Sequence, residues 1–103
     1  MTHGEPNSSE VPNTATQETL IAHYNDLSSV EALFDIYTND IAGIIVEPVA
    51  ANMGVVLPQA GFLEGLRRLT IKNGAMLIMD EVITGFRVGY GGAQEAYGII
   101  PDI

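Results

Sequence analysis

The sequence contains no cysteine, which removes a disulfide scaffold and any thiolate metal site from consideration. A reducing compartment fits that composition. Positive charge is nearly as scarce. Arg67, Arg68, Lys72 and Arg87 face 13 acidic side chains, and the formal net charge is −9. Nucleic-acid binding rests on a basic footprint that neutralises phosphates, so neither a nucleic acid nor an anionic membrane is an expected partner. Long apolar runs are missing too. The longest centres on Gly43–Val46, far too short to cross a bilayer. The stretch Met1 to Asn13 is polar and acidic, unlike a signal peptide or a basic transit peptide. No G-x-x-x-x-G-K-[ST] loop is present, because Lys72, the sole lysine, is followed by Asn73 and Gly74. Gly89, Gly91 and Gly92 miss the dinucleotide fingerprint, since Gln94 holds the final glycine position. There is no G-x-S-x-G nucleophile elbow. His3 and His23 are far apart and lack cysteine neighbours, so no metal site is expected.

What remains is the material of one small domain at most. The chain has 103 residues and is 47% hydrophobic, which is normal for a globular protein. At this length about 60–65% of the unfolded surface can be hidden, so the stability margin is thin. No internal repeat is visible. Residues 1–18 form a loop-like segment, with Gly4, Pro6, Asn7, Ser8, Ser9, Pro12 and Asn13 and no apolar periodicity. Thr19–His23 reads as a short strand. Tyr24-Asn25-Asp26 offers a turn, and Asp26 or Ser28 a helix cap. From Ser29 onward Val30, Leu33, Phe34 and Tyr37 recur at helical spacing, and Asn39-Asp40 closes that helix.

Two β-type runs follow. Ile41-Ala42-Gly43-Ile44-Ile45-Val46 is short, continuous and β-branched, the pattern of a strand covered on both faces in a parallel sheet. Glu47-Pro48 ends it, because proline cannot donate to the ladder. After a loop from Val49 to Pro58, Phe62, Leu63, Leu66, Leu69 and Ile71 form a second helical stripe, with Arg67, Arg68 and Lys72 on the wet side. Asn73-Gly74 is a helix stop. Ala75-Met76-Leu77-Ile78-Met79 is the second buried-type strand, ending at Asp80-Glu81. Val82 to Tyr97 reads as a long glycine-containing loop with one short helix at Ala93–Tyr97. Strands alternating with helices imply right-handed crossovers and a parallel sheet, an α/β architecture. Two strands and two helices cannot cover both sheet faces, so the sequence asks for more sheet than it supplies, a first hint of a fragment.

In open α/β sheets, ligands gather beyond the carboxyl ends of strands. Asp80 and Glu47 each follow a strand directly, which presents two carboxylates at one edge. An ordinary capping role for such residues is equally compatible with the sequence. An apolar strand followed by Asp-Glu also occurs where phosphate-loop ATPases hold Mg²⁺, but the phosphate loop itself is missing. Lys72, on the polar face of its helix, reads as a solvated lysine.

Three segments carry a more specific signal: Tyr24-Asn25-Asp26-Leu27; Ile44-Ile45-Val46-Glu47-Pro48-Val49-Ala50-Ala51-Asn52-Met53; and Leu77-Ile78-Met79-Asp80-Glu81-Val82-Ile83-Thr84-Gly85-Phe86-Arg87. Together they resemble the class III aminotransferases, a family of pyridoxal-phosphate enzymes. The Asn-Met and the Thr-Gly-Phe-Arg-Val point to its glutamate-semialdehyde aminomutase branch. The resemblance runs from about Thr14 to Ile103, taking in Gly92-Ala93-Gln94 and Tyr97-Gly98-Ile99-Ile100-Pro101-Asp102, and extends to the loop around Gly4-Glu5-Pro6.

The resemblance implies a fold, a cofactor and roles. Residues 19–103 would be a partial parallel-sheet piece of the large, cofactor-binding domain of a fold-type I transferase. Asp80 matches the aspartate that pairs with the pyridine nitrogen of pyridoxal 5'-phosphate, where an opposite charge favours the protonated ring. Val82 matches the branched side chain packed on one ring face. Asn52 matches a polar side chain near the phenolic oxygen. Glu47 and Arg87 would be structural, Arg87 tying its loop down, and Tyr24-Asn25-Asp26 would shape the entry to the next helix. Ala51 stands where the family usually has glycine. If that position needs a positive φ, alanine would add strain of roughly 1 kcal/mol or more.

The lysine that binds the cofactor as a Schiff base lies, in the family, in a glycine-rich turn beyond the Asp-Glu-Val segment, and these 103 residues do not include it. No catalytic residue is therefore assigned here, and the chain alone is expected to be inactive. The parent would be a cytoplasmic homodimer, or plastidial in a plant or alga. It would convert glutamate 1-semialdehyde, a small amino-aldehyde, to 5-aminolevulinate for tetrapyrrole synthesis, through pyridoxal and pyridoxamine forms of the cofactor. The alternatives are another class III aminotransferase, with separate amino donor and acceptor, and a noncatalytic binding or assembly module.

Overall fold

The structure, a computed structural model, describes residues 18–50 and 54–103. The element order is α1 (Leu27–Ile36), β1 (Gly43–Val46), α2 (Phe62–Asn73), β2 (Met76–Met79) and α3 (Gly92–Tyr97). The two strands pair in parallel, in the register Gly43↔Met76 through Val46↔Met79. The α/β expectation therefore holds, with α2 as the crossover a parallel pair requires.

Local chemistry explains where each helix begins and ends. Asp26 caps α1, accepting from the Ser29 amide at 3.3 Å and from the Ser28 hydroxyl at 2.5 Å. These bonds hold its carboxyl below the usual carboxylate range, the Ser28 hydroxyl contributing most. The helix thus starts at Leu27, slightly earlier than the apolar stripe suggested. At the far end of α2, Gly74 is left-handed, and the Ala75 amide reaches back to the Thr70 carbonyl at 2.9 Å. That bond satisfies a carbonyl the helix leaves orphaned.

The core lies on one side of the sheet. Leu77 and Met79 of β2 pack with Phe62, Leu63 and Leu66 of α2 and with Val30 and Phe34 of α1, while Ile44 and Val46 of β1 join from its margin. Leu63, Leu66 and Leu77 are fully buried. Period-two alternation sends Ile45, Met76 and Ile78 to the other face. There Ile45 is 69% exposed and Met76 46% exposed. The expectation of strands covered on both faces is therefore met on one face only, because the described helices that pack on the strands do so from a single side.

Three further readings are corrected. Thr19–His23 is irregular and forms no strand. It lies outside the ladder, and β propensity without a partner strand decides nothing. Ile71 is 67% exposed, standing off the packed face of α2, and Tyr37, exposed too, follows the end of α1 as its C-cap. Within 1–18, residues 1–17 are outside the described set, and so is the loop around Gly4-Glu5-Pro6.

β2 has a second neighbour. The Ile103 amide donates to the Leu77 carbonyl at 3.3 Å, and the Met79 amide donates to the Ile103 carbonyl at 2.9 Å. That pair of bonds sets Ile103 in parallel register beside Ile78. Asp102 clamps the junction, its Oδ2 accepting from the Leu77 amide and from Arg67 Nη1, both at 2.8 Å. The Leu77 amide, then the Arg67 guanidinium, hold the Asp102 carboxyl below its ordinary range. Arg67, expected on the wet side of α2, is half-buried through this contact.

Candidate cofactor-binding edge

Both strands end at the same edge. β1 gives way to Glu47-Pro48, β2 to Asp80-Glu81, and the Asp80 amide extends the ladder by donating to the Val46 carbonyl at 2.8 Å. Asp80 is half-buried there. Its Oδ1 accepts from the Val82 amide at 3.1 Å, which fixes the plane of the carboxylate. Its Oδ2 takes no hydrogen bond among the described residues. Val82, two positions on, is 90% exposed at the same edge.

Past Asp80 the chain makes successive turns. The Gly85 amide donates to the Glu81 carbonyl at 2.8 Å, and the Arg87 and Val88 amides to the Thr84 carbonyl at 3.1 and 3.3 Å. Phe86 sits at φ 64°, a conformation that bulky residues seldom adopt. Its ring meets Tyr90 edge-on at 6.0 Å, and both rings are largely exposed.

Glu81, not Arg87, ties this loop down. The Glu81 Oε1 accepts from the Ala93 amide and from the Thr84 hydroxyl, the latter at 3.1 Å; Oε2 accepts from Gln94 Nε2 at 3.0 Å. Thr84 and Ala93 are buried. The Arg87 side chain is exposed and makes no hydrogen bond or ion pair among the described residues. Its assignment as the loop's anchor is corrected accordingly. The sequence pointed to Asp80 by its place after a strand but gave no sign that the adjacent carboxylate reaches 12 residues ahead.

On the β1 side, the turn before α1 braces the following loop. The Tyr24 hydroxyl donates to the Pro48 carbonyl at 2.9 Å, and its ring meets Phe62 edge-on at 5.1 Å. Burial pushes the Tyr24 phenol up to about 12, with Tyr97 and Glu47 adding repulsion to its charged form. Asn25, at φ 63°, donates from Nδ2 to the Leu57 carbonyl at 3.0 Å and accepts on Oδ1 from the Gln59 amide at 2.7 Å. Ala50 and Val56 pair across the loop. The Tyr24-Asn25-Asp26 turn therefore does more than enter a helix. Asn52 and Ala51 lie outside the described residues.

Lys72 is exposed in the last turn of α2, just before β2 begins. Asp80 stands past the other end of β2. At about 3.3 Å per strand residue the two side chains belong to opposite edges of the sheet. The shallow 490 Å³ depression lined by Glu31, Arg68, Leu69, Ile71 and Lys72 is likewise on the helical side, away from Asp80. Among the described residues no group of three or more His, Cys, Asp or Glu side chains is placed to hold a metal. No described helix is long and apolar enough to cross a membrane.

This edge fits part of a pyridoxal-type cofactor. A carboxylate with one oxygen oriented and the other open suits a protonated ring nitrogen, and a bare branched side chain beside it suits a ring face. Lys72 is on the wrong edge to anchor it, and among the described residues no cluster of cations for a phosphate accompanies Asp80.

The family model for class-III aminotransferases matches residues 2–103. The chain is 60% identical over 103 residues to glutamate-1-semialdehyde 2,1-aminomutase 1 of Lachnoclostridium phytofermentans, covering all of this chain and 24% of that one. Among solved structures, a glutamate-1-semialdehyde aminomutase variant from Pseudomonas aeruginosa PAO1 in complex with PMP matches with TM-score 0.78 and 34% identity, over 91% of this chain and 21% of that one. An omega-transaminase from Sphaerobacter thermophilus matches with TM-score 0.83 and 30% identity, over 94% of this chain and 22% of that one. The chain thus spans about a quarter of the length of the curated relatives it matches.

Proposed function

The chain belongs to the class-III aminotransferase family, and from that premise we propose that it is one wall of the cofactor site of a glutamate-1-semialdehyde 2,1-aminomutase. The observation that carries this reading is Asp80, half-buried at the shared strand edge with one carboxylate oxygen oriented by the Val82 amide. The 60% identity to an aminomutase across this chain's 103 residues supports the choice of branch. The protein carrying this segment would isomerise glutamate 1-semialdehyde to 5-aminolevulinate. It would act as a cytoplasmic homodimer on a small amino-aldehyde.

In this site Asp80 would hold the pyridine nitrogen in its protonated form, since an anion beside the ring stabilises the pyridinium. Val82 would pack on a ring face, and Asn52 would approach the phenolic oxygen. The cofactor, when bound, supplies an electron sink for charge that develops at a substrate carbon and carries an amino group in its pyridoxamine form. Asp80 makes that sink deeper by keeping the ring cationic. The 103 residues alone would not turn over substrate, because their sole lysine is on the opposite sheet edge.

A specific observation keeps a second reading alive: an omega-transaminase superposes as well as the aminomutase does. One experiment addresses both. The complete enzyme carrying this sequence is incubated with pyridoxal phosphate, then assayed on glutamate 1-semialdehyde with no added amino donor. Turnover without a donor supports the aminomutase; turnover only with a donor supports the transaminase. Asp80→Asn should lower kcat at least about a hundredfold, as expected for loss of a group that acts on charge in the transition state. An Asp80→Asn enzyme with unchanged kcat and cofactor spectrum would sink the assignment.

A further inference from the structure

Glu81 is neither at the strand end nor in the ring-facing set, yet it gathers more of the loop than any neighbour. Its two carboxylate oxygens collect one backbone amide, one amide side chain and one hydroxyl: Ala93, Gln94 and Thr84. These donors come from both ends of the stretch that begins with Val82. The stretch in between is held by its own backbone turns, while its large side chains stand in solvent: Val82, Phe86 and Tyr90 are 90%, 79% and 93% exposed. Gly92 packs against the same carboxylate, so closely that a Cβ there would sit 2.6 Å from Glu81 Oε1.

Resting on the cofactor reading above, we infer that Glu81 is a positioning residue for the Asp80 edge, acting through hydrogen bonds and not through its charge. The chain of contact is short. Glu81 pins Thr84 and the start of α3. That closes the loop whose first amide, from Val82, orients Asp80 Oδ1 at 3.1 Å. Releasing Glu81 frees the loop, lets the Val82 amide drift, and leaves the Asp80 carboxylate to rotate. A misplacement of about 1 Å at such a group can cost a hundredfold in rate.

The hydrogen-bond claim separates from a charge claim by substitution. In Glu81→Gln the amide oxygen can still accept from Ala93 and Thr84, and its NH₂ can donate to Gln94 once that side chain flips its own amide. Glu81→Ala removes every acceptor. The complete enzyme carrying this sequence is titrated with pyridoxal phosphate, and the bound cofactor's absorbance is followed against pH. Glu81→Ala should raise the cofactor Kd about tenfold or more and shift the pH midpoint of the absorbance change. Glu81→Gln should restore both to within about twofold of the parent.

Outcomes divide cleanly. If the parent enzyme itself fails to bind the cofactor, the functional reading falls. If the parent binds and Glu81→Ala melts like the parent but keeps its Kd and spectrum, the positioning role alone falls. Equal losses in Glu81→Ala and Glu81→Gln would assign the effect to charge and overturn the inference. Should Glu81→Ala not fold, Gln94→Ala, at an exposed position, takes its place. It should raise Kd about threefold, and an unchanged Kd would refute the role.

Discussion

Gly61 and Gly92 both hold positive φ angles, 86° and 75°, but only one has a neighbour in the way. Nothing lies within 4 Å of a Cβ built at Gly61, whereas one at Gly92 meets Glu81 Oε1 at 2.6 Å. Alanine at Gly61 should cost only the left-handed backbone penalty, about 1 kcal/mol. Alanine at Gly92 should add overpacking and disturb the Glu81 bonds, for a total of about 2–4 kcal/mol. Thermal or urea unfolding of the complete enzyme carrying each variant measures the difference. Equal losses at the two positions would mean that the Glu81 carboxylate is not seated as described. Residue-scale legibility was uneven for the same reason. Asp80 could be found because a strand end is visible in one dimension. The partners of Glu81 could not, since Ala93 and Gln94 become its neighbours only after the intervening turns close. Nor did anything in the order of residues reveal that Asn25 reaches Leu57 and Gln59, or that Arg87 would stay in solvent.

At the scale of elements the sequence was more readable. Helical spacing of Leu63, Leu66 and Leu69 and the Asn73-Gly74 stop placed α2 correctly. The β-branched run placed β1, although the ladder begins only at Gly43. Thr19–His23 failed because a strand is defined by its partner, and among the described residues none lies beside it. The Asp102 clamp, linking α2 to β2, was also hidden, because Arg67 read as solvent-facing. It carries a pH dependence with a definite sign. Folding lowers the Asp102 carboxyl from its ordinary value, the Leu77 amide contributing more than Arg67. A lowered folded-state value stabilises above the ordinary carboxylate pKa of about 3.9 and is lost as pH falls through the depressed value. Asp102→Asn cannot titrate. The gap in melting temperature between the parent enzyme and Asp102→Asn should therefore be widest near neutrality and close below about pH 3.9. A gap that stays constant down to acid pH would show that the clamp contributes no charge-dependent stability.

For the molecule as a whole, the decisive feature is the bare sheet face. Parallel sheets normally bury both faces, yet Ile45 is 69% exposed and Met76 46% exposed. Two accounts compete. If these residues are one part of a larger sheet domain, that face is covered in the complete protein. The isolated chain should then bind a hydrophobic dye and unfold without a sharp transition. If the chain is a self-sufficient noncatalytic module, the face is its working surface and unfolding should be cooperative. Ile45→Lys distinguishes them from both sides. In the isolated chain it should reduce dye binding and aggregation, since it puts a charge on an apolar patch. In the complete enzyme it should destabilise by about 3 kcal/mol or more, because a charge would be buried without a partner. Under the module account the same substitution sits on a solvated surface and should change stability by less than about 0.5 kcal/mol. Calorimetry of the isolated chain and of the complete enzyme, each with and without Ile45→Lys, therefore decides whether this sheet is a part or a whole.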